Sequence, residues 1–197
     1  TIMLATSNGF KGTYRRSGHS LSAVVLAGEG QNMERDYEYS STIFEADLTN
    51  PTTVGQIAGE RAVRRLNPQK PGSAAIPVIY DPRVSGSLVG HVASALNGSS
   101  VARGTSFLKD AMGKQIFQSG IRILDEPHRA RGLRSKPFDG EGLLNQKYAI
   151  IDDGHVKSWF LDLATADQLG LVSTGHAARS TGGAPSPSPT NLYLDAG

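Results

Sequence analysis

Asp81-Pro82-Arg83-Val84-Ser85-Gly86-Ser87-Leu88-Val89-Gly90-His91 opens the stretch whose reading decides the second half of this chain. Val84, Leu88, Val92 and Leu96 recur every four residues, with Val89 and Ala95 filling in, so the pattern predicts a helix with one apolar stripe and a half-buried face. Asp81 before Pro82 suits an N-cap followed by proline at the first helical position. Asn97-Gly98 reads as a left-handed stop. At about 100° per residue, His91 falls at the edge of the stripe with Ser87 one turn below it, within reach of a hydroxyl–imidazole contact. A lone histidine beside an apolar stripe is ordinarily structural, and zinc needs three protein ligands and a water position.

Working outward, turn signals at Ser7-Asn8-Gly9 and Arg16-Ser17-Gly18 bracket Phe10 to Arg15 as a hairpin arm. Ser20 to Ala27 reads as a buried strand, and Glu34 to Ser40, with Tyr37 and Tyr39, as a half-exposed one, giving an antiparallel sheet. Asn50-Pro51-Thr52 opens a helix through Val54, Ile57, Ala58, Ala62 and Leu66. The segment Asn67 to Gly72, with two prolines, ends it and marks a boundary. After it, Ala75 to Tyr80 reads as a strand, Ser106 to Phe117 as a helix with an exposed Asp110–Lys114 pair, and Ile121 to Asp125 as a strand.

Lys147 to Trp159 carries Asp153-Gly154 between alternating apolar runs, a tight-hairpin signal, so Asp152 and Asp153 read as turn formers rather than a catalytic pair. Leu161 to Leu169 reads as a short helix. Ser173 to Pro189, rich in Gly, Ser and Pro, reads as a mobile surface loop before a last strand, Asn191 to Leu194. The expected fold class is α+β: antiparallel sheets with a few packed helices in two partial domains. Residues 1–70 would end a preceding domain (strands, then a helix), and residues 71–197 would begin a C-terminal one. The start at Thr1 and the stop just after a strand are what a segment of a longer protein is expected to show.

Composition excludes several chemistries. The 197 residues contain no cysteine, so disulfides and thiolate nucleophiles or ligands are absent from this chain. Twenty basic against 18 acidic residues leave a net charge of +2, which gives no support to direct nucleic-acid binding. The one basic cluster, His128 to Lys136, lacks interleaved aromatics and reads as a solvated loop. No apolar run approaches the ~20 residues of a membrane span, and a cytoplasmic location is the default. The five histidines include no i,i+3 or i,i+4 pair. Gly28-Glu29-Gly30 lacks a third glycine and a following helix, and Ser87 lacks the first glycine of a nucleophile elbow.

Four blocks together resemble the TldD/PmbA family, described as peptidases and as modulators of DNA gyrase. They are Asp81 to Asn97; Gly104 to Phe107 with Gly113 to Ile116; Arg134 to Gly142; and Pro189 to Gly197. In the TldD branch the helix carries His-Glu-x-x-x-His, which supplies two zinc ligands and a general-base glutamate of the kind metal-assisted hydrolysis uses. Here those positions are Gly86, Ser87 and His91, so the match is to the PmbA branch, also called TldE. The resemblance implies that this chain holds no cofactor and has neither catalytic nor metal residues of its own. It implies a zinc site in a TldD-type partner subunit, a third ligand that is a cysteine nearer the C-terminus, and a heterodimer that cleaves unfolded peptides, as in proteolysis or peptide maturation. Self-association is a further expected contact; membrane and nucleic acid are not. Candidate peptide-binding residues are Phe138, Asp139 and Glu141 in one loop and Asn191, Leu192 and Tyr193 on the last strand, where a sheet edge can pair with extended substrate. The alternative is a stand-alone protein that modulates DNA gyrase or an antitoxin by binding. A hydrolase using Ser87 and His91 lacks a third group to orient the imidazole.

Overall fold

A computed structural model describes residues 1–195, which form an α+β arrangement of four α-helices and several small antiparallel sheets. Two compact units divide the chain: residues 16–79, and residues 1–15 together with the chain from Tyr80 onward. The hairpin β1 (Ile2–Ala5) and β2 (Lys11–Tyr14) belongs to the second of these and turns where Thr6 N–H bonds to Phe10 O.

In the unit of residues 16–79, β3 (His19–Ala27) pairs antiparallel with β4 (Glu34–Thr42), and helix α1 (Pro51–Arg64) covers one face. Asn50 caps the helix by accepting from Thr52 N–H, with Pro51 in the first turn. Val54, Ala58 and Ala62, four residues apart, are fully buried against the sheet. From the sheet, Asp36 meets Arg65 at 2.7 Å and Glu38 meets Arg61. The strand expected to be buried, Ser20 to Ala27, instead alternates: Leu21, Ala23 and Val25 turn inward while Val24 and Leu26 are exposed. Within this unit's described residues a helix covers only one face of the sheet, so every second residue is buried or half-buried.

The run Ala75 to Tyr80 forms no strand: Ile76, Val78 and Ile79 are exposed, and no described strand pairs with them. β-propensity without a partner ladder fixes nothing, and Pro77 has no N–H to give one.

Helix α2 (Pro82–Ala95) starts as expected, with Asp81 accepting from Arg83 N–H at 2.9 Å. Its end differs. Asn97 has φ −73° and caps a new helix, α3 (Gly98–Ala102), by accepting from Ser99 N–H. Gly98 is needed for close approach rather than for a left-handed turn: a Cβ there would lie 2.6 Å from Phe160 O and 2.7 Å from Leu161 Cδ2.

Ser106 to Phe117 is a chain of turns rather than a helix. The Ser106 hydroxyl accepts from Leu108 N–H and donates to Ala95 O, Gly113 sits at φ +75°, and Ile116 and Phe117 donate to Gly154 O. Side chain and hairpin tip take the donors a helix would have used.

β5 (Ile123–Asp125), β6 (Tyr148–Asp152) and β7 (His155–Val156) follow, the last two joined by Asp153 and Gly154 at φ +48° and +74°, the twist a two-residue hairpin favours. Helix α4 (Leu163–Leu169) is closed by a capping box between Asp162 and Thr165. A short ribbon, β8 (Ala177–Ala178) with β9 (Ser186–Pro187), precedes β10 (Leu192–Leu194). The four-stranded sheet runs β10-β5-β6-β7, all antiparallel, so among the described residues β10 is an edge. Its core joins Leu96, Ile150, Ile151, Val156, Phe160 and Leu161.

The segment Ser173 to Pro189 is not a loose surface loop in its first half. His176 is 2% exposed and Ala177 fully buried. Composition concealed this because His176 is buried as part of a satisfied network: Nε2 lies 3.1 Å from Asp125 Oδ2 and Nδ1 2.8 Å from the Thr174 hydroxyl. Thr190 donates both N–H and hydroxyl to the same Asp125 carboxylate. Asn97 Nδ2 donates to Pro187 O, which fastens the far side of the ribbon.

Candidate functional site

The apolar stripe of α2 divides along its length. Leu96 is fully buried, whereas Val84 and Leu88 are 50% and 44% exposed. The exposed half borders a groove of 730 Å³ whose other wall is β10 and the turn around Arg129 to Arg134. Gly86 lines this groove, and a Cβ built on it meets nothing within 4 Å.

Ser87 is exposed and donates to Val84 O at 2.6 Å, a bond within its own helix turn rather than to His91. His91 is exposed and lines a separate hollow of 600 Å³ with Phe107, Ile116 and Phe117. The structure therefore places the three motif positions on one helix but turns Gly86 and His91 to different grooves. These residues do not fit a zinc ion. Gly86 has no donor atom, Ser87 is spent on the backbone, and among the described residues no three His, Cys, Asp or Glu side chains gather to hold a metal.

Asn191, Leu192 and Tyr193 line the groove beside α2. Asn191 is a positioning side chain: its Oδ1 accepts from Arg134 N–H, and its Nδ2 donates to Glu126 O and the Ser135 hydroxyl. Tyr193 donates its hydroxyl to Glu126 at 3.0 Å, and the Arg129 guanidinium, itself exposed, lies 4.6 Å over its ring. Glu126 N–H bonds to Asn191 O and Asp195 N–H to Arg122 O, which sets the ladder with β5. By alternation, the N–H and C=O of Leu192 and Leu194 point away from β5 and have no strand partner among the described residues. The groove thus offers a short open sheet edge facing an apolar helix wall.

Phe138, Asp139 and Glu141 lie apart from that groove. Phe138 is 7% exposed and packs edge-on against Phe10 and Tyr14. Asp139 is buried and accepts from the N–H groups of Glu141, Leu143 and Ala177. Glu141 accepts from Leu163 N–H at the start of α4; burial pushes its carboxyl above the ordinary value, opposed by that hydrogen bond. Two residues that sequence reasoning passed over stand near this loop. Lys136 turns inward and donates to Ala177 O, and burial pushes its ammonium below the ordinary lysine value, opposed by Asp139 and Asp125. Arg179 stands at the rim of the same hollow.

No described helix is long and apolar enough to cross a membrane. Compared with known proteins, residues 73–197 match the PmbA/TldA metallopeptidase C-terminal domain and residues 1–66 the central domain of the same proteins. The metalloprotease PmbA of Escherichia coli O157:H7 is 41% identical over 175 residues, which is 89% of this chain and 39% of that protein. A Bacteroides thetaiotaomicron protein, assigned as a candidate modulator of DNA gyrase, superposes with a TM-score of 0.85 at 30% identity, over 97% of this chain and 41% of its own. TldE from Thermococcus kodakarensis shares the fold, with a TM-score of 0.70 at 18% identity over 97% of this chain and 43% of its own. The chain spans about two fifths of the length of these proteins. With both of its halves matched in order, the chain belongs to the PmbA/TldD family of metallopeptidase-related proteins.

Proposed function

We propose that this chain is part of a non-catalytic subunit of a heteromeric zinc metallopeptidase that acts on unstructured peptides. The observation that carries the reading is the donor set on α2: a glycine, a backbone-bonded serine and one exposed histidine where hydrolysis needs ligands and a base. In this reading the zinc, the activated water and the bond cleavage belong to a TldD-type partner, and this chain contributes the wall of a chamber. The open edge of β10 supports a role in holding substrate, because main-chain hydrogen bonds accept any sequence in extended form. Leu88 and Val89 on the facing helix supply apolar contact without specificity.

The experiment is zinc analysis and an unfolded-peptide cleavage assay on the intact protein, alone and mixed with a TldD-type subunit. Cleavage only in the mixture, with zinc retained by the partner, is expected. Stoichiometric zinc and robust cleavage by this protein alone would overturn the reading. Co-elution with gyrase, and with no TldD-type subunit, would instead favour a stand-alone binding role, the activity named for the Bacteroides protein.

A further inference from the structure

A third groove, of 580 Å³, lies on the far side of Phe138 and Asp139, walled by β1 and by the ribbon from Ala177 to Thr181. Lys136 stands at its base with one donor engaged by Ala177 O at 3.1 Å, and among the described residues it forms no ion pair. Arg179 lines the rim and forms no direct hydrogen bond or ion pair among the described residues, although it feels Glu141 through space.

Asp139 does not neutralise the pair by contact. Both of its oxygens are taken by backbone N–H groups of Glu141, Leu143 and Ala177. At longer range, Asp139 and Asp125 help keep Lys136 charged against the cost of burial. An ammonium with three donors, only one of them used, and a free guanidinium at the same mouth make a receptor for an anion with two oxygens. Among the described residues β1, Ile2 to Ala5, pairs only with β2, and it lines the same groove.

We propose that this groove binds an extended peptide segment and fixes it by a carboxylate seated between Lys136 and Arg179. The proposal rests on the peptide-handling reading above and adds a ligand class to it. The carboxylate can be a peptide C-terminus or an acidic side chain, and the probes separate these.

The test is fluorescence anisotropy on the intact protein without any partner. The first probe is an N-terminally fluorescein-labelled octapeptide of alternating valine and threonine with a free C-terminal carboxylate. The second is the same peptide C-amidated, and the third is the amide with one central glutamate. The free-carboxylate probe is expected to bind at least about tenfold more tightly than the plain amide, the size of one charge-assisted contact. Recovery of binding by the glutamate probe alone assigns the site to side chains. Lys136→Met is expected to lose roughly tenfold while the melting temperature holds or rises, since a buried charge is removed. Lys136→Arg is expected to keep part of the binding, and the exposed Arg179→Ala to lose a few fold.

Equal affinity for all three probes, no binding by any, or full affinity in both Lys136→Met and Arg179→Ala would overturn the proposal. A failure here with cleavage intact in the mixed assay leaves the subunit reading standing. Binding here with no cleavage in that assay leaves the groove standing without it.

Discussion

His176 and His91 sit in opposite surroundings, and the contrast separates a side chain that holds the architecture from one that faces water. His176 has both ring nitrogens engaged, is closed in by Tyr148 and Phe160, and shares the Asp125 carboxylate with Thr190. His91 has no hydrogen bond or ion pair among the described residues and lies on an exposed helix face. A polar group sealed among partners holds chain segments together, because losing one partner strands the others. A polar group facing water does no such work, and its surroundings record what the helix can present to a ligand.

The sharpest way to break the contrast is Asp125→Ala. It leaves His176 and the Thr190 N–H without their buried acceptor, and a loss of about 3–5 kcal/mol is expected from urea unfolding of the intact protein. A change under about 1 kcal/mol would show that the cluster is relaxed by water. Gly86→Ala acts in the other direction. The position is helical with open space around its Cβ, so a gain of about 0.5–1 kcal/mol is expected by thermal melting. Destabilisation would mean that something occupies the groove beside it.

His91→Ala is expected to stay within about 0.5 kcal/mol of the parent, and a larger loss would show that His91 has a partner in the intact assembly. The smallest effect is a pH dependence. Burial raises the Glu141 pKa above the ordinary glutamate value of 4.5, so the folded state holds that proton more tightly than the unfolded chain. The stabilising contribution is complete below pH 4.5 and is lost as pH rises through the higher folded value. Glu141→Gln keeps an acceptor for Leu163 N–H and removes this loss. Its stability relative to the parent is therefore expected to rise between pH 4 and pH 7, read from melting curves.

Local chemistry made some elements legible. Asp81-Pro82 and Asn50-Pro51 announced helix starts, Asp153-Gly154 announced a hairpin, and the alternation from Glu34 to Ser40 announced a half-exposed strand, though not that its tyrosines face outward while Asp36 and Ser40 are buried. Each depends only on residues a few positions apart. The helix expected from Ser106 to Phe117 failed because the Ser106 hydroxyl, anchored on Ala95 O, takes Leu108 N–H and the distant Gly154 O takes the N–H groups of Ile116 and Phe117. The burial of His176 was invisible because its acceptor lies 51 positions away. For the candidate site, the motif positions were readable from the helix alone. The turning of Gly86 and His91 to different hollows, and the pairing of Lys136 with Arg179 at one mouth, needed the tertiary arrangement.

The strand order β10-β5-β6-β7 carries a consequence for how the molecule comes into being. β6 and β7 are neighbours in the chain, whereas Arg122 and Asp195, which close the rim beside β10, are 73 positions apart. Closing so long a loop is entropically slow, so the hairpin is expected to condense early and the outermost strand to arrive late, an order that pulsed hydrogen exchange would read directly. The cleft beside α2 is then expected to come into existence only at the final stage of assembly, so a half-made polypeptide lacks it altogether.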